Sequence, residues 1–146
     1  MTIASKGRRA RRAGPKANPA RGEHELVLAG VPYRLRPSHT ALETIEEETD
    51  LSTLQLIQLA GRGALKRRDA GIVAAELIRA GAEPGDQLTR SVDAERIAEL
   101  IHEEGLAKVF AVLVVCLHDA ATGGRTSSGE AKAAPAIATS GAAGAA

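Results

Sequence analysis

With one tyrosine, one phenylalanine and no tryptophan in 146 residues, this chain has to build its interior from Leu, Ile, Val and Ala. That palette suits packed helices. It argues against a β-sandwich or barrel, which would draw on aromatic and β-branched residues in many short strands. Where these apolar residues fall along the chain then decides the rest.

They are confined to the middle. Residues 1–21 carry seven basic and no acidic side chains, and residues 122–146 are almost all Ala, Gly, Ser, Thr and Pro. Neither end offers enough apolar surface to offset the entropy of ordering it, so both are expected to be disordered. The foldable part is residues 22–121, long enough for one domain with a core of its own. The net charge of +1 hides a partition: +7 over the first 21 residues, and a net of −7 over residues 22–119 from ten basic and seventeen acidic side chains. A basic arm on an acidic body can fold back on it or reach for an acidic partner.

The first element reads as a hairpin. Leu26 and Leu28 share one strand face, and Tyr33 and Leu35 share another, at the period of two of half-buried strands. Gly30 lies between them, and Pro32 is placed at a strand start. Strands over 23–29 and 33–36 are expected, resting on the helices that follow because a lone hairpin is marginal.

Five helices are expected after it, over about 39–48, 52–62, 69–80, 92–104 and 106–120. Ser38 caps the first, Asp50 or Ser52 the second and Ser91 the fourth. The stretch 82–88, with Pro84 and Gly85, reads as a loop. In the third helix Ala70, Val73, Leu77 and Ile78 form an apolar stripe. The last helix is the most apolar element. Its stripe is Leu106, Val109, Phe110, Leu113 and Leu117, and Val112 and Val115 fall toward a second face. A helix apolar most of the way round is either central or covered by another chain. Val112 and Val115 are therefore the candidate partner-binding residues, with a place in the core as the alternative. The whole reads as mainly α: a small N-terminal hairpin on a cluster of about five helices.

Chemistry-bearing constellations are not apparent. His24, His39, His102 and His118 sit on separate elements and no two are four residues apart. With a single cysteine, no zinc-type metal site is expected. Nor is a Gly-x-Ser-x-Gly turn or a phosphate-cradling loop present; Gly61-Arg62-Gly63 ends a helix rather than opening one. Cys116 lies in an apolar run and reads as a buried, inert thiol. The chain is expected to act without catalysis and without a cofactor. The longest apolar run, Val109–Leu117, is too short to span a bilayer. No secretory leader is visible, so a cytoplasmic protein that touches no membrane is expected. Arg8, Arg9, Arg11 and Arg12 are candidate polyanion contacts. The arm lacks aromatics for base stacking and the body is acidic, so nucleic acid is not the expected partner.

The order of signals resembles a family. Asn18-Pro19-Ala20-Arg21-Gly22-Glu23 leads through the hairpin to Tyr33-Arg34-Leu35-Arg36-Pro37 and then to Ala41-Leu42-Glu43-Thr44-Ile45-Glu46. Ile78-Arg79-Ala80-Gly81 and Gly105-Leu106 follow. Over residues 18–121 this resembles the small tail proteins of gene transfer agents and related prophages, encoded near the tape-measure protein. The basic leader and the Ala-rich end are additions to that pattern, and Asp50–Ser52 lacks its customary glycine. The resemblance implies a part in building a phage-type tail, as tail tube protein or tail assembly chaperone, with other tail proteins as partners. A tube subunit should be rich in strands that close and stack rings. One hairpin and five helices favour a chaperone for tube or tape-measure protein. A structural tube component incorporated into a phage-like particle, or a nucleic-acid-associated protein using its basic arm, is the alternative.

Overall fold

A computed structural model describes residues 24–123 and 125–130, with residues 17 and 132 besides. Strands β1 (His24–Leu28) and β2 (Val31–Leu35) form an antiparallel pair. Among the described residues six helices follow: α1 (His39–Thr49), α2 (Thr53–Gly61), α3 (Arg67–Gly81), α4 (Gln87–Arg90), α5 (Ala94–Glu104) and α6 (Leu106–Ala121). The fold is mainly α, as the Leu/Ile/Val stripes require.

The hairpin is tighter than its turn residues alone suggest. Ala29 and Gly30 both take positive φ, 51° and 77°. That is the two-residue connection whose twist matches paired strands. The second strand therefore starts at Val31, not at residue 33, and Pro32 lies inside it, opposite Val27. Counting from the closing pair Leu28–Val31, Val27–Pro32 is a non-hydrogen-bonded pair. The missing N–H of Pro32 thus points away from β1 and costs the ladder nothing. Leu26, Leu28 and Leu35 share the inner face and are buried.

Helix ends follow local chemistry. The Ser38 hydroxyl accepts from Ala41 N (3.1 Å), and Asp50 closes α1 in the left-handed region. Ser52 and Gln55 form a reciprocal capping box on α2, with bonds of 2.8 and 3.1 Å. The stretch expected as loop contains α4, because Asp86 accepts from the backbone N–H (3.1 Å) and hydroxyl (2.6 Å) of Thr89. Ser91 is not the cap of the next helix. Its hydroxyl donates back to Gln87 O (2.6 Å), and Asp93 caps α5 through Arg96 N (2.9 Å). A carboxylate is the stronger acceptor for orphan N–H groups at a positive dipole end.

Helix α3 is the centre, with ten of its fifteen residues buried. It packs against α1, α5 and β2, while α2 lies along α6. Gly71 lets α5 cross at contact: a Cβ there would stand 2.7 Å from both Ala94 O and the Ala98 Cβ. Gly81 does the same for the hairpin, since a Cβ would meet Arg34 O at 2.1 Å. Arg36 N then donates to Leu77 O (3.1 Å) and ties the end of β2 to α3.

Residues 125–130, grouped above with the C-terminal segment, pack on the body. Ser127 O accepts from His39 N (2.8 Å), and Gly129 sits against Arg36, Pro37 and Ser38. The buried Arg125 side chain explains why so polar a stretch is held: it exchanges water for carboxylate, imidazole and carbonyl partners.

Candidate functional site

Helix α6 begins after Gly105, whose φ of 114° breaks the path from α5. Val109, Phe110, Leu113, Cys116 and Leu117 are buried on its inner face. At 3.6 residues per turn the opposite face carries Ala107, Ala111, Val115 and His118, all exposed. The exposed Lys108 lies on the same face, seven residues before Val115, and pairs with Glu104 at 2.8 Å. Val115 points outward with 51% of its surface accessible, and Val112 sits half-buried on the flank of the same face.

A second exposed apolar side chain lies on α2. Leu54, in the first turn of α2, is 63% accessible. It borders a shallow cleft of about 390 Å³ between the start of α1, α2 and Ala120 and Ala121 of α6. In the sequence Leu54 is one apolar residue among several in its helix. The signal was its phase: Leu56 and Ala60, four apart, make the buried row, and Leu54 falls outside it. Leu88 on α4 is more exposed still, at 83%.

A cleft of about 1000 Å³ lies between the end of α1, the start of α3 and α5. Ile72 and Ala98 form its floor and Glu48, Arg67, Glu99 and His102 its rim. An apolar floor with a mixed charged rim suits the side chains of another polypeptide.

One polar cluster forms between residues far apart in sequence. His24 Nε2 lies 2.8 Å from Asp119 Oδ2, and Arg125 Nη2 lies 2.9 Å from that nitrogen and 3.2 Å from that oxygen. Arg125 Nη1 donates to Gly129 O (2.8 Å). These bonds hold the 125–130 segment to the hairpin and α6. Cys116 is fully buried, and burial pushes its thiol up to about 12, far from a thiolate nucleophile at neutral pH. Among the described residues no group of three or more His, Cys, Asp or Glu is placed to hold a metal ion. No described helix is long and apolar enough to cross a membrane. Arg8, Arg9, Arg11 and Arg12 lie outside the described residues.

No curated protein and no solved structure matches this chain. The family described as phage tail tube protein, GTA-gp10, matches residues 21–123, from just before the hairpin to just past α6. That span takes in the hairpin and all six helices. The chain therefore belongs to the phage tail tube protein, GTA-gp10, family, and its place is among the proteins of a phage-type tail.

Proposed function

We propose that this chain is a tail assembly chaperone, which binds tube or tape-measure protein and shields its apolar segments until they polymerise. The observation that carries this reading is the outward face of α6, where Ala107, Ala111 and Val115 are exposed and Lys108 beside them is paired with Glu104. Helix faces on a small domain are ordinarily polar where they meet water. This one exposes three apolar side chains, and Leu54 exposes another on α2, across a cleft from Ala120 and Ala121 at the end of the helix. The action is binding alone, with no catalysis and no cofactor.

A second reading is a structural subunit of the tube that remains in the particle. The family's own description favours it. Against it, the described residues form a single two-stranded sheet, a small edge from which to close and stack rings. Co-expression with tube or tape-measure protein tests the first reading: the partner's soluble yield should rise with this chain and fall back with the Val115→Asp variant. Unchanged yield would remove the chaperone reading. Recovery of the chain at tube stoichiometry from purified particles would establish the second.

A further inference from the structure

Glu95, Glu99 and Glu103 recur every fourth residue along α5, and all three are exposed. This row lines the cleft between α1, α3 and α5, and Glu48 joins it from the last turn of α1. Arg67 and Arg68 stand on the same rim, so with His102 neutral four carboxylates face two guanidinium groups. Arg68 is shared with Asp69 at 3.3 Å, and Glu99 with Arg96 at 2.9 Å. Counting those two neighbours as well leaves the acidic excess unchanged. Glu48, Glu95 and Glu103 form no ion pair among the described residues. The floor beneath them is apolar, from Ile72, Ala94 and Ala98. Such a cleft suits a cationic segment with small apolar side chains between its charges.

The chain carries one. Lys6, Arg8, Arg9, Arg11, Arg12 and Lys16 have no acidic residue among them, and Ala10 separates two arginine pairs. Residues 1–16 lie outside the described residues, and the family match begins only at residue 21. The lengths agree. Glu95 to Glu103 covers about 12 Å by helix rise, and Arg8 to Arg12 covers about 13 Å as extended chain. The reach is sufficient as well. Arg12 stands twelve residues before His24, where β1 starts, which is at most about 40 Å of chain. A body of about a hundred residues has a radius of gyration of about 13 Å, and β1 itself packs against α5.

We infer that the run Arg8–Arg12 docks into this cleft of its own chain, its arginines against the acidic row and Ala10 over the apolar floor. A single exposed ion pair holds little. Four cations against an excess of carboxylates, over apolar surface, act together. The covalent tether presents the run at an effective concentration of about a millimolar, an advantage that a free basic segment of another protein does not have. Docked, the run is withheld from polyanions and closes the cleft to other polypeptides. The inference uses neither the α6 face nor the chain's part in the tail, so it stands whether the chain is a chaperone or a tube subunit.

Paramagnetic relaxation in the full chain tests it. A nitroxide is attached at Ala10→Cys; Cys116 is buried and stays unlabelled in the folded protein. At low ionic strength the loss of amide signal should peak on α5 and the first turn of α3. It should vanish at about 1 M salt, where the screening length is about 3 Å. It should fall severalfold in E99K/E103K and in R8E/R9E/R11E/R12E, each checked for helix content by circular dichroism. With both sets in one chain opposite charges face each other again, and the signal loss on α5 should return. E99Q/E103Q serves if E99K/E103K does not fold. Signal loss spread evenly over the body, centred on another surface or indifferent to salt would overturn the inference, as would failure of the combined variant to restore it. Signal loss of equal size with nitroxide and isotope on different chains would also overturn it, placing the arm on a second copy.

Discussion

Arg125 and Asp119 meet at 3.2 Å, with the arginine side chain 4% exposed and the carboxylate 44% exposed. The pair is asymmetric: the cation has given up nearly all its water, and the anion has kept about half. Replacing the cation should therefore cost more than neutralising its partner. Arg125→Ala is expected to lower unfolding free energy by about 1–3 kcal/mol, since buried partners lose a charged donor. Asp119→Asn should cost clearly less. Urea denaturation of both variants checks the order, and equal losses would contradict it.

The close crossing of α3 and α5 makes Gly71 intolerant of a methyl group. Gly71→Ala should destabilise by about 1–3 kcal/mol despite the better helix propensity of alanine, because overpacking shifts backbone at Ala94. In a thermal melt each kcal/mol corresponds to a midpoint fall of about 4–8 °C for a domain of this size.

Cys116 should make stability depend on pH at the alkaline end. Burial raises its pKa from 9.0 to about 12. The folded protein keeps the thiol proton while the unfolded chain releases it. The contribution is thus fully present below about 9 and is lost as pH rises toward 12. Denaturation midpoints should decline across that window, and more shallowly in Cys116→Ala. At pH 8 a thiol reagent should label the native protein only as fast as it opens.

Two positions on α6, two residues apart, should separate folding from function. Leu113 is fully buried, and Leu113→Ala is expected to cost about 2–5 kcal/mol through the cavity it leaves. Val115→Asp lies on the outward face and should change stability by no more than about 0.5 kcal/mol. Capture of tube or tape-measure protein should nonetheless fall sharply in Val115→Asp. Stability lost together with capture would mean that Val115 is part of the core.

Much of this architecture was legible in local pattern. The period of two at Leu26/Leu28 and Tyr33/Leu35 marked the hairpin, and stripes such as Ala70, Val73, Leu77 and Ile78 marked helices, because alternation and helical spacing are properties of single elements. The misread boundaries were competitions between neighbouring groups. Ser91 and Asp93 are both good caps, and the outcome rested on Ser91 finding Gln87 O instead. Gly30 announced a turn, but the positive φ at Ala29 that sets its length carried no residue signature.

What the amino-acid order determined by itself was the element types, the apolar middle between polar ends, and the family, since these depend on short-range spacing and on motif order. Only the tertiary structure decided which face of α6 meets water, that Leu54 borders a cleft against α1 and the end of α6, and that Arg125 pins residues 125–130 to His24 and Asp119. Each of these depends on residues tens of positions apart being brought together. Periodicity places a residue on its own helix or strand, but packing against α3 decides what lies opposite.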